Sequence, residues 1–328
     1  MAKHTVLSGI RATGRLHLGN YLGAVKGMLE LQEQPEYETL YMVADMHAIT
    51  TPYEKKELAI HRRAVILDYL ACGLDPEKSV IFQQSMVPEH IELAFLFSSV
   101  MTIARMQHLP TFKEKIKQYP DYATMALLNY PILMASDILV YKADSVPVGI
   151  DQEPHLEIAR EIARKMNEAY GLHFPEPKRF ATPGEYVPSL AGQGKMSKSV
   201  EGSYISLTDD FEAIHTRLKA APTDTGKGDA VPKTGGVANI LALVSLFMGN
   251  DARLEYESAY LSQGIRYGDL KKSLAEAIAK ELAPIQERRI ALEQDTDYVD
   301  DVIATGALKA SEKASKTVAE TKMAMGLG

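Results

Sequence analysis

Over its first 170 residues the chain alternates short apolar runs with longer stretches whose apolar residues recur at helical spacing, and few folds can accommodate that order. Residues 5–9 (TVLSG) read as a buried strand, followed by a glycine-containing loop to Gly14 and an amphipathic helix over residues 18–34. Residues 39–50 (TLYMVADMHAIT) read as a second buried strand ending in polar residues. Residues 54–71 return to helical spacing with Ile60, Val65, Ile66 and Leu70, and residues 78–85 (KSVIFQQS) form a third strand. Strands separated by whole helices cannot pair as hairpins and need crossovers, which predicts a parallel, doubly wound sheet of the α/β class. Helical spacing then dominates residues 90–141, interrupted at Pro110 and Pro120, before residues 144–149 (DSVPVG) offer another strand and residues 152–170 another helix. The expectation is a Rossmann-type domain over residues 1–205 with a helical insertion at about 90–141.

The remainder reads differently. After residues 204–207 (YISL), helical spacing covers residues 209–220, 237–248, 253–263, 269–293 and 311–325, with an aperiodic loop at 222–236, so residues 206–328 are expected to form an all-helical C-terminal domain. Two units suit a chain of 328 residues, because single cores stop growing at about 250–300 residues. A net charge of -7 excludes a broadly basic nucleic-acid coat but leaves room for a local basic stripe. The one cysteine, Cys72, rules out intrachain disulfides and multi-thiolate metal sites and is expected to be buried. No apolar run approaches the roughly 18 residues that span a bilayer, and MAKHTVLSGI lacks the pattern of a signal peptide, so a cytoplasmic location is expected.

Two turns stand out as sites of chemistry. TGRLHLGNY (residues 13–21) follows the first strand and opens the first helix. A helix N-terminus offers backbone N–H groups and partial positive charge to a phosphate, and Gly14 and Gly19 let a nucleotide approach the backbone. His17 and Asn20 can donate to an α-phosphate, although the turn alone is equally well a capped strand-to-helix connection. The second turn is GKMSKS (residues 194–199), approached through AGQG (residues 191–194), which gives hinge freedom. Lys195 and Lys198 are flexible cations with three donors each, suited to a moving polyphosphate. An isolated K-x-x-K would be a solvated basic loop, but paired with HLGN it fits a triphosphate on which both turns converge.

HLGN and KMSKS resemble the HIGH and KMSKS signatures of the class I aminoacyl-tRNA synthetases, the second letter for letter. Asn20 replaces the last histidine, as in the tryptophanyl branch. GNYLGA (19–24), DMHAIT (45–50), GLDPEKS (73–79), QSMVPEH (84–90), YPILMASDIL (130–139), VPVGIDQ (146–152) and the closing AMGLG extend the likeness to the bacterial tryptophanyl family over nearly the whole chain.

The resemblance implies a ligase that activates tryptophan with ATP, accompanied by Mg2+ held mainly by phosphate oxygens, with no metal ligands from the protein. The product is tryptophanyl-adenylate, whose tryptophan passes to the terminal ribose of tRNA(Trp). Catalysis falls to His17 and Asn20 at the α-phosphate and to Lys195, Lys198 and Lys115 at the departing pyrophosphate. ATP is expected to contact Gly9, Ile10, Arg11, Thr13, Gly19, Asn20, Gly149, Asp151, Lys195, Met196, Ser197, Lys198 and Ser199. Tryptophan is expected against Leu7, His47, Tyr130, Met134, Asp137, Val146, Val148 and Gln152. Its indole N–H is a donor only, which calls for a buried acceptor, and Asp137 stands at the family's position for one. Met134, one turn earlier, faces the ring. Two departures limit the carry-over: Ile150 replaces an acidic residue, and Arg11 replaces a glutamine, either to add a cation at the phosphate or to pair with a surface carboxylate.

The resemblance further implies a homodimer built on the helical insertion, where LAFLFSSVM (residues 93–101) is more apolar than a solvent-facing helix should be. It also implies anticodon reading by the C-terminal helices, whose scattered positive charges (Arg217, Lys219, Lys271, Lys272, Arg288, Arg289, Lys309, Lys313, Lys316) by themselves read as solvated faces. Rival readings are a tyrosyl enzyme of the same class, a nucleotidylyltransferase with a similar histidine-glycine turn, and a tryptophan-binding regulatory paralogue.

Overall fold

The computed structural model describes residues 3–180, 186–198 and 200–328. Five strands, β1 (His4–Arg11), β2 (Tyr37–Ala44), β3 (Ser79–Gln83), β4 (Ser145–Pro147) and β5 (Lys178–Phe180), form one sheet in the order β3-β2-β1-β4-β5. Every pairing is parallel, with Leu7 opposite Leu40, Leu40 opposite Val80 and Val146 opposite Arg179. The order reverses at β1, and the crevice outside the carboxyl ends of β1 and β4 is the switch point where open α/β sheets take ligands. β2 lies between two neighbours and its residues from Thr39 to Ala44 are all buried, hence its unbroken apolar run.

The chain forms two compact units, the first from residues 1–14, 26–182 and 292–328, the second from residues 15–25 and 183–291. In the first, helices α2 (Lys26–Gln32), α3 (Lys55–Cys72), α4 (Glu89–Ser98), α5 (Ile103–Gln107), α6 (Pro110–Gln118), α7 (Met125–Leu139), α8 (Glu153–Tyr170) and α13 (Thr296–Ala324) accompany the sheet. α8 buries Leu156, Ala159, Ile162, Ala163 and Met166 at a 3-4 spacing, and each large apolar side chain so buried is worth about 1.5–3 kcal/mol. Within the insertion the breaks follow local chemistry. Thr102 and Thr124 cap α5 and α7 by accepting from the N–H groups of Arg105 and Leu127. Pro110 stands at the first position of α6, where no N–H is needed, so it starts a helix there. Pro131 lies inside α7.

Helix α13 runs along β3, the edge strand, and shields it. The contact is at backbone distance: a Cβ on Gly306 would sit 1.7 Å from the Ile81 carbonyl oxygen. Ser311 donates to Glu89 at 2.7 Å, and Lys313 pairs with Glu38 at 2.7 Å. The second unit contains α1 (Leu18–Asn20), a π-helical segment Tyr21–Val25, and α9 (Phe211–Ala220), α10 (Gly236–Met248), α11 (Asn250–Leu261) and most of α12 (Tyr267–Gln294). Its loop at 222–236 is fastened by Asp224, which accepts from Tyr260 at 2.5 Å, from Tyr267 at 2.8 Å and from the Gly226 N–H at 2.8 Å.

Several boundaries differ from the sequence expectation. The single helix over 18–34 is instead α1, the π segment and α2 in succession. The strand over 39–50 ends at Ala44, and residues Met46–Thr50 form a 3-10 turn, so His47 lies beyond the strand and not at its end. β5 has no counterpart in the sequence reading, and α13 starts at Thr296 where residue 311 was expected. Ile205 and Ser206 do not extend a sheet: the first accepts from the Leu18 N–H at 2.9 Å and the second bridges to His17.

Candidate active site

In the first unit, Asp137 of α7 is 2 % exposed and its carboxylate is encircled by donors. His47 Nε2 stands 2.7 Å from Oδ2, His90 Nδ1 2.6 Å from Oδ1, and Gln84 Nε2 donates to Oδ1 at 2.7 Å. Burial alone would raise the Asp137 pKa, but the His47 charge and the hydrogen bonds from His47 and His90 outweigh it and bring it down to about 2. An ionised carboxylate only accepts, so both imidazoles donate to it. His90 Nε2 then accepts from Tyr141, 2.7 Å away, whose phenol is raised by burial and by the Asp137 charge and keeps its proton.

These donors come from four places: the turn after β2, the turn after β3, the start of α4 and the residues after α7. Gln84 is oriented by accepting from the Met46 N–H at 3.0 Å. Asp45 ties the same two turns together by accepting from the Ser85 N–H at 2.9 Å and the Ser85 hydroxyl at 2.6 Å, and it pairs with Arg62 at 2.6 Å. Leu7 and Val146 are buried, and Val148, Tyr130 and Met134 pack against the same extended core cluster of this unit. Tyr130 does not offer a free hydroxyl: it lies 2.7 Å from His155 Nε2, and burial holds His155 below the usual imidazole range.

Gly9, Ile10 and Arg11 occupy the carboxyl end of β1, with Thr13 just beyond and Gly149 and Asp151 just after β4. Arg11 pairs with no surface carboxylate among the described residues; its guanidinium donates to the His47 carbonyl at 3.1 Å and to Thr51 at 3.3 Å. Gln152 donates to Asp151 at 2.7 Å, and Ile150 is exposed. Lys115, on α6, donates to Gln118 at 2.8 Å and lies over the Tyr119 ring.

In the second unit the HLGN turn and the KMSKS segment meet. A Cβ on Gly19 would fall 2.8 Å from the His17 ring and 3.3 Å from Met196, so only glycine lets the turn sit this close. Burial, helped by the Lys198 charge, lowers the His17 imidazole to about 4 and keeps it neutral near pH 7. The first turn is not a row of open backbone donors: the Leu18 N–H is taken by Ile205, and those of Asn20 and Tyr21 by the His17 carbonyl. Asn20 Oδ1 accepts from the His17 N–H at 3.2 Å, which turns its amide nitrogen the other way, so side chains are what the turn offers a ligand.

Gly192 and Gly194 of the AGQG approach take positive φ, 87° and 70°; beyond them Met196 is buried, its N–H donates to the Val187 carbonyl at 2.8 Å, and the Ser197 N–H donates to the buried Ser203 hydroxyl at 3.1 Å. Ser199 lies outside the described residues. The sequence reading missed His90, Gln84, Tyr141 and His155 as members of the site. Their signal was faint: polar residues in QSMVPEH and DQEPH at the edges of apolar helices, without a spacing that names a partner.

The sequence model of the tRNA synthetases class I (W and Y) matches residues 1–283. A tryptophan--tRNA ligase of Helicobacter pylori is 42% identical, over 100% of this chain and 100% of its own. The crystal structure of tryptophanyl-tRNA synthetase from Mycoplasma pneumoniae superposes with a TM-score of 0.86 at 32% identity, covering 100% of this chain and 99% of that one. That of the Campylobacter jejuni enzyme complexed with ADP and tryptophan gives 0.84 at 30%, covering 98% and 100%.

Proposed function

Because the chain belongs to the tRNA synthetases class I (W and Y), we propose that it activates L-tryptophan with ATP and transfers it to the terminal ribose of tRNA(Trp) in protein synthesis. The tryptophan carboxylate attacks the α-phosphorus, a carboxyl–phosphate bond forms, and the bond to the β-phosphate breaks to release pyrophosphate. A ribose hydroxyl of the tRNA then takes the acyl group and AMP leaves. No covalent enzyme intermediate is required, so catalysis rests on positioning and on charge stabilisation.

The observation that carries the reading is the Asp137 carboxylate, buried yet ionised within its ring of side-chain donors. A donor-only indole N–H needs such an acceptor, and a pocket built around that pair rejects an analogue lacking the donor by about 10⁴–10⁵ without editing. Leu7, Met134, Val146 and Val148 would wall the ring, while His47, Tyr130 and Gln152 would serve the ammonium and carboxylate. Neutral His17 and the Asn20 amide would donate to the α-phosphate, and Lys195 and Lys198, with Lys115, would stabilise pyrophosphate. Gly9, Ile10, Arg11, Thr13, Gly19, Gly149, Asp151, Met196, Ser197 and Ser199 complete the proposed ATP contacts.

Mg2+ is proposed to arrive with ATP, held mainly by phosphate oxygens. The helices of residues 206–328 are proposed to read the anticodon. No helix of the described residues is long and apolar enough to cross a membrane, and the cytoplasm is the proposed location. A homodimer through α4 is proposed from its exposed Ile91 and Phe95.

Tryptophan-dependent pyrophosphate exchange tests the assignment, and because the chain has no tryptophan of its own, binding is read directly by ligand fluorescence. Asp137→Ala is expected to lose selection for tryptophan over phenylalanine far more than it loses ATP affinity. Exchange driven by tyrosine would make the protein a tyrosyl enzyme, and binding without exchange would make it a regulatory paralogue.

A further inference from the structure

The hydrogen bonds around Asp137 determine more than its charge. A carboxylate has about four acceptor sites, two on each oxygen. Oδ1 receives His90 Nδ1 at 2.6 Å and Gln84 Nε2 at 2.7 Å, which fills it; Oδ2 receives His47 Nε2 at 2.7 Å, which leaves one. All three donors come from side chains whose other ends are held. Gln84 accepts from the Met46 N–H, and His90, 0 % exposed, accepts at Nε2 from the Tyr141 hydroxyl at 2.7 Å while packing on the Phe82 ring at 5.9 Å.

We propose that His90, with its tautomer fixed by Tyr141, is a positioning residue for amino-acid selection: it occupies Oδ1 and thereby reserves a single oriented acceptor on Asp137 Oδ2 for the indole N–H. The proposal rests on the reading of Asp137 as the indole acceptor. Its chemistry runs in one direction. The Tyr141 phenol donates to His90 Nε2, which places the ring proton on Nδ1, and Nδ1–H donates to the carboxylate. Without the phenol, the ring can carry its proton on Nε2 and turn a lone pair toward Asp137, which the carboxylate repels. Oδ1 then keeps only Gln84 and opens a second acceptor site, and selectivity falls because the vacant acceptor no longer lies on Oδ2 alone.

The test compares tryptophan with 3-benzothienylalanine, a shape-matched amino acid whose ring sulfur replaces the N–H, in pyrophosphate exchange by the full-length enzyme. Tyr141→Phe, which keeps the ring and removes the donor, is expected to raise the KM for tryptophan about tenfold with the KM values for the sulfur analogue and for ATP nearly unchanged. His90→Leu is expected to do the same to a larger extent. His90→Asn, whose amide nitrogen can stand near the place of Nδ1, is expected to recover much of the loss. A proportional rise in KM for both amino acids would show that His90 merely supports the pocket, and an unchanged ratio in Tyr141→Phe would overturn the proposal even if His90→Leu fails to fold. If the wild-type enzyme itself does not separate the two amino acids, the reading of Asp137 fails first, and the two failures are told apart.

Discussion

Asp137 is held ionised at a depth where an isolated carboxyl group would be neutral, and this has a consequence for acid stability. Its folded pKa of about 2 lies below the ordinary 3.8, so between those values the unfolded chain binds more protons and stability rises with pH. The contribution is fully present above about pH 4 and is lost as the pH falls through about 2, with an integrated size of roughly 2 kcal/mol. Asp137→Asn removes the titration but keeps the shape. Urea midpoints of the two proteins should differ most near neutral pH and converge between pH 4 and pH 2; a difference that does not narrow over that interval would mean that the histidines do not hold the carboxylate. The sequence points to Asp137 as an acceptor through the family resemblance of YPILMASDIL, and its apolar neighbours argue only that it is not exposed. It does not reveal the donors, because His47, Gln84 and His90 lie in three other segments and nothing in their local spacing requires them to meet.

At the level of single elements, periodicity finds what is long and amphipathic and misses what tertiary contact decides. α8 declares itself through its apolar spacing. β5, three residues reading Lys-Arg-Phe, is a strand only because β4 offers it a parallel partner. The first half of α13 was missed for a sharper reason: Gly306 lowers helix propensity where the fold most needs a helix, since any side chain there would strike the Ile81 carbonyl. The glycine is therefore expected to behave opposite to propensity. Gly306→Ala should destabilise by about 1–3 kcal/mol or more through overpacking, lowering the melting temperature, whereas Gly268→Ala in α12, where an added Cβ meets nothing within 4 Å, should be neutral or stabilising by up to about 1 kcal/mol. Equal effects at both sites in thermal melts would refute the close approach of α13 to β3.

The largest scale is the least legible from sequence, because the chain leaves the sheet unit at residue 15, returns at 26, leaves again at 183 and returns at 292, and no local signal marks those crossings. The proposed dimer rests on a feature that is partly readable in the sequence. LAFLFSSVM is apolar largely because it is core, with Leu93, Leu96 and Phe97 buried; what α4 exposes is Ile91 at 44 % and Phe95 at 77 %, while Met125 at the start of α7 is 64 % exposed. Beside Ile91 and Phe95 lies a groove of about 270 Å³, lined also by Ala94, Ile132 and Leu133 and by Met46 and Tyr130. An exposed apolar patch of this kind is where the proposed dimer would form, and its lining is shared with the turn that carries His47 and with the helix that carries Asp137. A second copy seated on it would hold those two elements against each other, so dimerisation and tryptophan affinity should be linked. Phe95→Glu places a charge in the middle of the patch without touching the Asp137 network. Sedimentation should then report a monomer, and the KM for tryptophan should rise with that for ATP unchanged. A variant that remains dimeric would remove this face as the interface, and a monomer with unaltered tryptophan affinity would leave the interface in place but cut its tie to the pocket.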